Sequence, residues 1–115
     1  MKERAYLIEP PNMRQDVSNL SDRYDVEYVF DSRADADVFR DDAEEFFRYM
    51  QKWAELNFDV GKDFFVLTGN LTLIVAASMA LGKQFPNDRI LFLRYDHRLG
   101  RYCEVQIPAT RGLIV

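Results

Sequence analysis

The chain has 115 residues, 48% hydrophobic and 14% aromatic, so it can bury one domain-sized core and is not disordered as a whole. Its net charge is −4 with no basic stripe, which argues against a nucleic-acid-binding module; no direct nucleic-acid partner is expected. Cys103 is the only cysteine, which excludes an internal disulfide and fits a reducing compartment.

The N-terminal MKERAYLIEPP carries charge but no apolar signal-peptide core, so the expected location is cytoplasmic. Arg4 to Glu9 is a short apolar run stopped by Pro10-Pro11 and reads as a strand ending in a loop. Met13 to Arg23 is polar, with Val17 and Leu20 three apart, a short and weakly patterned helix. Asp25 to Phe30 places β-branched and aromatic residues at Val26, Tyr28, Val29 and Phe30, a second strand.

Asp31-Ser32-Arg33 opens the clearest helical pattern. Phe39, Ala43, Phe46, Met50, Trp53 and Asn57 step by four and three, which predicts one amphipathic helix from about Asp35 to Phe58. Acidic residues crowd its first half, where the helix dipole favours them. Residues 16 to 63 hold 14 acids against 6 bases, a net of −8, so the acidity is concentrated here.

Gly61 breaks the pattern, and Asp63 to Thr68 is a continuously apolar strand suited to burial on both faces. Leu71 to about Gln84 is a helix apolar on nearly every side, too short to span a bilayer. Pro86-Asn87-Asp88 is a turn, Arg89 to Tyr95 a strand, Asp96 to Gly100 a hairpin loop, Tyr102 to Ile107 a last strand, and Pro108 onward a tail. Strands alternating with helices predict a single α/β domain: a small three-layer Rossmann-like or flavodoxin-like sheet, mostly parallel, with a C-terminal antiparallel hairpin. The short first crossover leaves open whether the two opening strands pair parallel or antiparallel.

Ligands collect outside the carboxyl ends of strands in such sheets. Thr68-Gly69-Asn70 is the leading candidate corner: Gly69 permits close backbone approach, Asn70 caps, and the free amides of the next turn can meet an anion. Asn12, Ser32, Arg33 and Asp96 lie at the other strand ends and complete the candidate ligand set. Each also has an ordinary structural reading as cap, turn or surface charge. No GxGxxG motif or P-loop is present, so no cofactor is expected. One His and one Cys cannot assemble a zinc site, and His97 beside Asp96 lacks a placeable nucleophile, so neither a metal nor a catalytic residue is assigned.

The acidic cluster Asp41, Asp42, Glu44 and Glu45 is the candidate partner-binding face. The small residues Ala76, Ala77, Ser78, Ala80 and Gly82 would allow close helix–helix approach, so a homodimer through the 71–84 helix is a further candidate.

From Asn57 onward, the Asp63-led strand, Thr68-Gly69-Asn70, the small-residue helix, Tyr95-Asp96 and Arg101-Tyr102 form a pattern. It resembles short uncharacterised proteins of tailed bacteriophages and some bacteria. The resemblance covers the C-terminal half and implies an origin, with the host cytoplasm as location, but no activity. The expected function is a non-enzymatic interaction protein engaging a host or phage protein. The alternative is a Rossmann-like binder of a nucleotide or other small anionic ligand at the Thr68-Gly69-Asn70 corner.

Overall fold

The computed structural model describes residues 2–11 and 18–109. In chain order the elements are β1 (Arg4–Leu7), α1 (Ser18–Arg23), β2 (Asp25–Tyr28), α2 (Arg33–Asp37), α3 (Ala43–Asn57), β3 (Phe64–Val66), α4 (Leu71–Gln84), β4 (Arg89–Asp96) and β5 (Arg101–Pro108). The five strands form one sheet in the order β2-β1-β3-β4-β5. The first four run parallel, and β5 returns antiparallel to β4. The α/β class, the mostly parallel sheet and the terminal hairpin all agree with the sequence pattern. The open question about the first two strands resolves as parallel, with Arg4 opposite Asp25 and Leu7 opposite Tyr28.

After Arg4, β1 is apolar, and β3 is apolar along its whole length, because the sheet is covered on both sides. Side chains alternate along a strand, so Tyr6, Ile8 and Phe65 join one core with α3 and α4. Ala5, Leu7, Phe64 and Val66 join the other, with Leu20 of α1, Tyr24 and Tyr102. The first core contains Phe46, Met50 and Ala54 of α3 and Ala77, Ala80 and Leu81 of α4, all fully buried. Phe46 and Phe65 have 0% exposure, and truncating either to Ala should cost about 3–5 kcal/mol. On the thinner side, the Tyr24 hydroxyl donates to Glu104 Oε2 at 3.0 Å and ties the end of α1 to β5. Burial, then the Glu104 carboxylate, pushes the Tyr24 pKa up to about 12.

Several boundaries differ from expectation; β1 and β2 stop at Leu7 and Tyr28 and do not reach Glu9 and Phe30, and three other differences have clear causes. The helix expected from Asp35 to Phe58 is two helices, because Phe39 turns inward and Asp42 starts a new one. The Phe39 ring lies 5.7 Å from Phe30 and 5.6 Å from Phe46, while the Asp42 side chain accepts from the Glu45 amide at 3.0 Å. The strand expected from Asp63 to Thr68 shortens to Phe64–Val66, since Asp63 is taken up by an ion pair with Arg4. Pro108 ends β5 instead of starting a tail, and the buried Ala109 donates its amide to the Asp88 carbonyl at 3.0 Å. Of the Met13 to Arg23 stretch, residues 18–23 are described and helical.

The helix α4 is less wrapped than its composition suggests. Leu73, Ala76, Ala77, Ala80 and Leu81 are buried, whereas Leu71, Val75 and Met79 are 74%, 50% and 63% exposed. Those three are spaced by four, so they form one outward stripe. Among the described residues, no helix is long and apolar enough to cross a membrane.

Candidate functional site at the strand switch point

The strand order places a crevice between the carboxyl ends of β1 and β3. From β1 the chain crosses through α1, on one face, to β2; from β3 it crosses through α4, on the other face, to β4. The two connections diverge, and that divergence leaves room above the strand ends. A pocket of about 200 Å³ occupies the position, lined by Glu9, Pro10, Arg33, Arg40, Thr68, Gly69 and Asn70.

Each lining group is put there by local chemistry. Gly69 adopts φ +118°, a conformation closed to most side chains, and this lets the chain turn from β3 into α4. Asn70 then caps α4, its side-chain oxygen accepting from the Leu73 amide at 3.2 Å. The α4 N-terminus, 14 residues of aligned peptide dipoles behind it, therefore opens at the pocket. Arg33 begins α2 behind the Ser32 cap and forms no ion pair among the described residues. Arg40 sits in the turn after α2 and pairs with Asp37. Glu9 extends from the end of β1, and its Oε2 is buried with no hydrogen-bond partner.

Of the sequence candidates, Arg33, Thr68, Gly69 and Asn70 line this one pocket. Ser32 and Asp96 are not among the lining residues. The Ser32 hydroxyl oxygen accepts from the Asp35 amide at 3.2 Å and caps α2. Asp96 Oδ1 accepts from the amides of Arg98 and Leu99, at 2.9 and 3.3 Å, inside the β4–β5 turn. Asn12 lies outside the described residues.

Two charged members were not singled out from sequence. Arg40 falls inside the pattern that predicts one continuous helix, and the structure places it in the break between α2 and α3. The Asp42-x-x-Glu45 spacing, a helix-start signature, could have revealed the break that turns Arg40 toward the pocket. Glu9 follows β1 by two residues, and its residue type alone does not distinguish it from a surface acid.

The acidic candidates have local occupations. Asp42 caps α3, and Glu44 and Glu45 both pair with Arg48, at 2.7 and 3.1 Å, while Asp41 is exposed. His97 is an exposed turn residue whose ring meets Tyr95 edge-on at 4.9 Å. Among the described residues, no three His, Cys, Asp or Glu side chains converge as a metal site. A larger hollow of about 600 Å³ runs beside α4 and is walled mainly by apolar side chains, among them Met79, Ile90, Phe92 and Ile107.

No family model, no curated protein and no solved structure matches this chain.

Proposed function

We propose that the protein binds a small anionic ligand at the β1/β3 switch point. The observation that carries this reading is the meeting of Arg33, Arg40 and the α4 N-terminus around one pocket. Guanidinium groups recognise phosphate and carboxylate oxygens through paired N–H donors. Helix N-termini add unsatisfied amides and a favourable dipole. At about 200 Å³ the pocket suits a phosphate- or carboxylate-bearing small molecule, or the charged end of a larger one. The reading is one of binding: the lining supplies guanidinium and amide donors that can hold an anion.

A thermal-shift panel tests it, since a ligand that binds only the folded state raises Tm. The panel spans inorganic phosphate, small carboxylates, mononucleotides and cyclic dinucleotides. A member that raises Tm in the wild type, but not in Arg33→Gln/Arg40→Gln, supports the site. Absence of any shift at millimolar ligand overturns it.

A second reading is an interaction protein that meets its partner through α4. It is favoured by the exposed stripe of Leu71, Val75 and Met79 beside Ile107, itself 46% exposed. A homodimer is its simplest form, with two copies of the stripe packed against each other. Sedimentation across a concentration series should then show a dimer that Val75→Glu dissociates. A wild type that stays monomeric at high concentration removes the homodimer.

A further inference from the structure

The pocket's charges are two-sided, and this narrows the ligand beyond a plain anion. Arg40 is already paired with Asp37, so its charge is largely balanced within the protein. Arg33 and Glu9 are not: Arg33 has no ion pair among the described residues, and Glu9 Oε2 is buried without a donor. One oxygen of that carboxylate, Oε2, is enclosed by protein without a hydrogen-bond partner, so a cation that meets Glu9 from the pocket relieves a poorly solvated charge. A plain anion brings no cation to the carboxylate and would be repelled by Glu9.

We infer that the ligand is a small zwitterion whose anionic group faces Arg33 and the α4 N-terminus and whose ammonium donates to Glu9. α-Amino acids and phosphorylated primary amines both have this chemistry. The inference rests on the anion-binding reading of the same pocket. An ammonium pairs with the Glu9 carboxylate and cancels the repulsion in one step, whereas the anionic end replaces its water contacts with guanidinium and amide donors. The pocket volume of about 200 Å³ suits a ligand of this size, with both ends engaged.

Matched ligand pairs test the inference by calorimetric titration of the full chain. Phosphoethanolamine is compared with ethyl phosphate, glycine with glycolate, and inorganic phosphate serves as the anion alone. The expected result is that at least one amine-bearing member binds about tenfold or more tightly than its amine-free partner, the gain of one charge-assisted hydrogen bond. Which pair shows the gain identifies the phosphate or the carboxylate form. In Glu9→Gln that preference falls to within about twofold, while inorganic phosphate binds as well as before or better.

If phosphate or glycolate binds the wild type and the amine adds nothing, the zwitterion inference is overturned and the anion site stands. If no member binds, the anion-binding reading itself fails, and the inference with it. The wild-type comparison decides without any variant, so a Glu9→Gln chain that does not fold leaves the test intact.

Discussion

Arg4 and Asp63 clamp the starting ends of β1 and β3 with a two-pronged ion pair, Nε to Oδ1 at 3.0 Å and Nη2 to Oδ2 at 2.8 Å. The Asp63 side chain is 4% exposed and Arg4 44%, so the carboxylate is the desolvated partner. Asp63 Oδ2 also accepts from the Asp59 amide at 2.8 Å, which holds the loop entering β3. The hydrogen bond to Asp63, opposed by some burial, raises the already high pKa of Arg4. This pair lies at the opposite end of the strands from the pocket.

The asymmetry in exposure predicts unequal mutants. Arg4→Met strands a buried carboxylate and should cost about 3 kcal/mol. Asp63→Asn leaves Arg4 free to reach water and should cost about 1–2 kcal/mol. Urea unfolding of both, with the double mutant, measures the coupling; equal single losses would contradict a buried charge on Asp63.

At the other end of β3, capping and ligand binding separate through Asn70. Asn70→Ala removes the bond to Leu73 and should cost about 1 kcal/mol of stability. Asn70→Asp keeps a capping oxygen and suits the helix dipole, so stability should hold or rise. Its added negative charge in the pocket lining should weaken phosphate binding by about tenfold or more. Thermal unfolding and phosphate titration of the two variants should therefore diverge.

Two glycines of similar surroundings should respond to Ala with opposite signs. A Cβ at either Gly69 or Gly82 meets nothing within 4 Å, so crowding decides neither. Gly69 holds φ +118°, and Gly69→Ala should lose about 1–3 kcal/mol through backbone strain. Gly82 lies within α4 without a positive φ, and Gly82→Ala should gain about 0.5–1 kcal/mol by restricting the unfolded chain. Denaturant midpoints give both signs directly.

The β4–β5 turn should make an acid-sensitive contribution through Asp96. Burial works against its charge, but the Leu99 and Arg98 amides, then the guanidinium groups of Arg98 and Arg94, outweigh it and hold its pKa below the usual carboxylate value. A lowered folded pKa means the stabilisation is complete above the ordinary Asp pKa and is lost as pH falls through the lower, folded value. Asp96→Asn should destabilise at neutral pH and flatten the acid limb of Tm against pH. An unchanged slope would remove Asp96 from that limb.

Much of the local structure follows from residue pattern alone. Phe46, Met50 and Trp53 recur at helical spacing, and residues 64–66 are apolar without interruption because alternate side chains face two cores. The corner at Thr68-Gly69-Asn70 is equally local, since a strand-to-helix turn calls for a permissive backbone and a capping side chain. Tertiary structure alone decided which strand ends meet. The parallel order of β2, β1 and β3 depends on crossovers to opposite faces, and it is this divergence that opens the pocket beside Glu9, Arg33 and Arg40. It also decided that Leu71, Val75 and Met79 face outward while Leu73 and Ala77 do not. Residue pattern encodes how favourable burial is at each position; which distant groups share one space depends on how the buried faces are stacked.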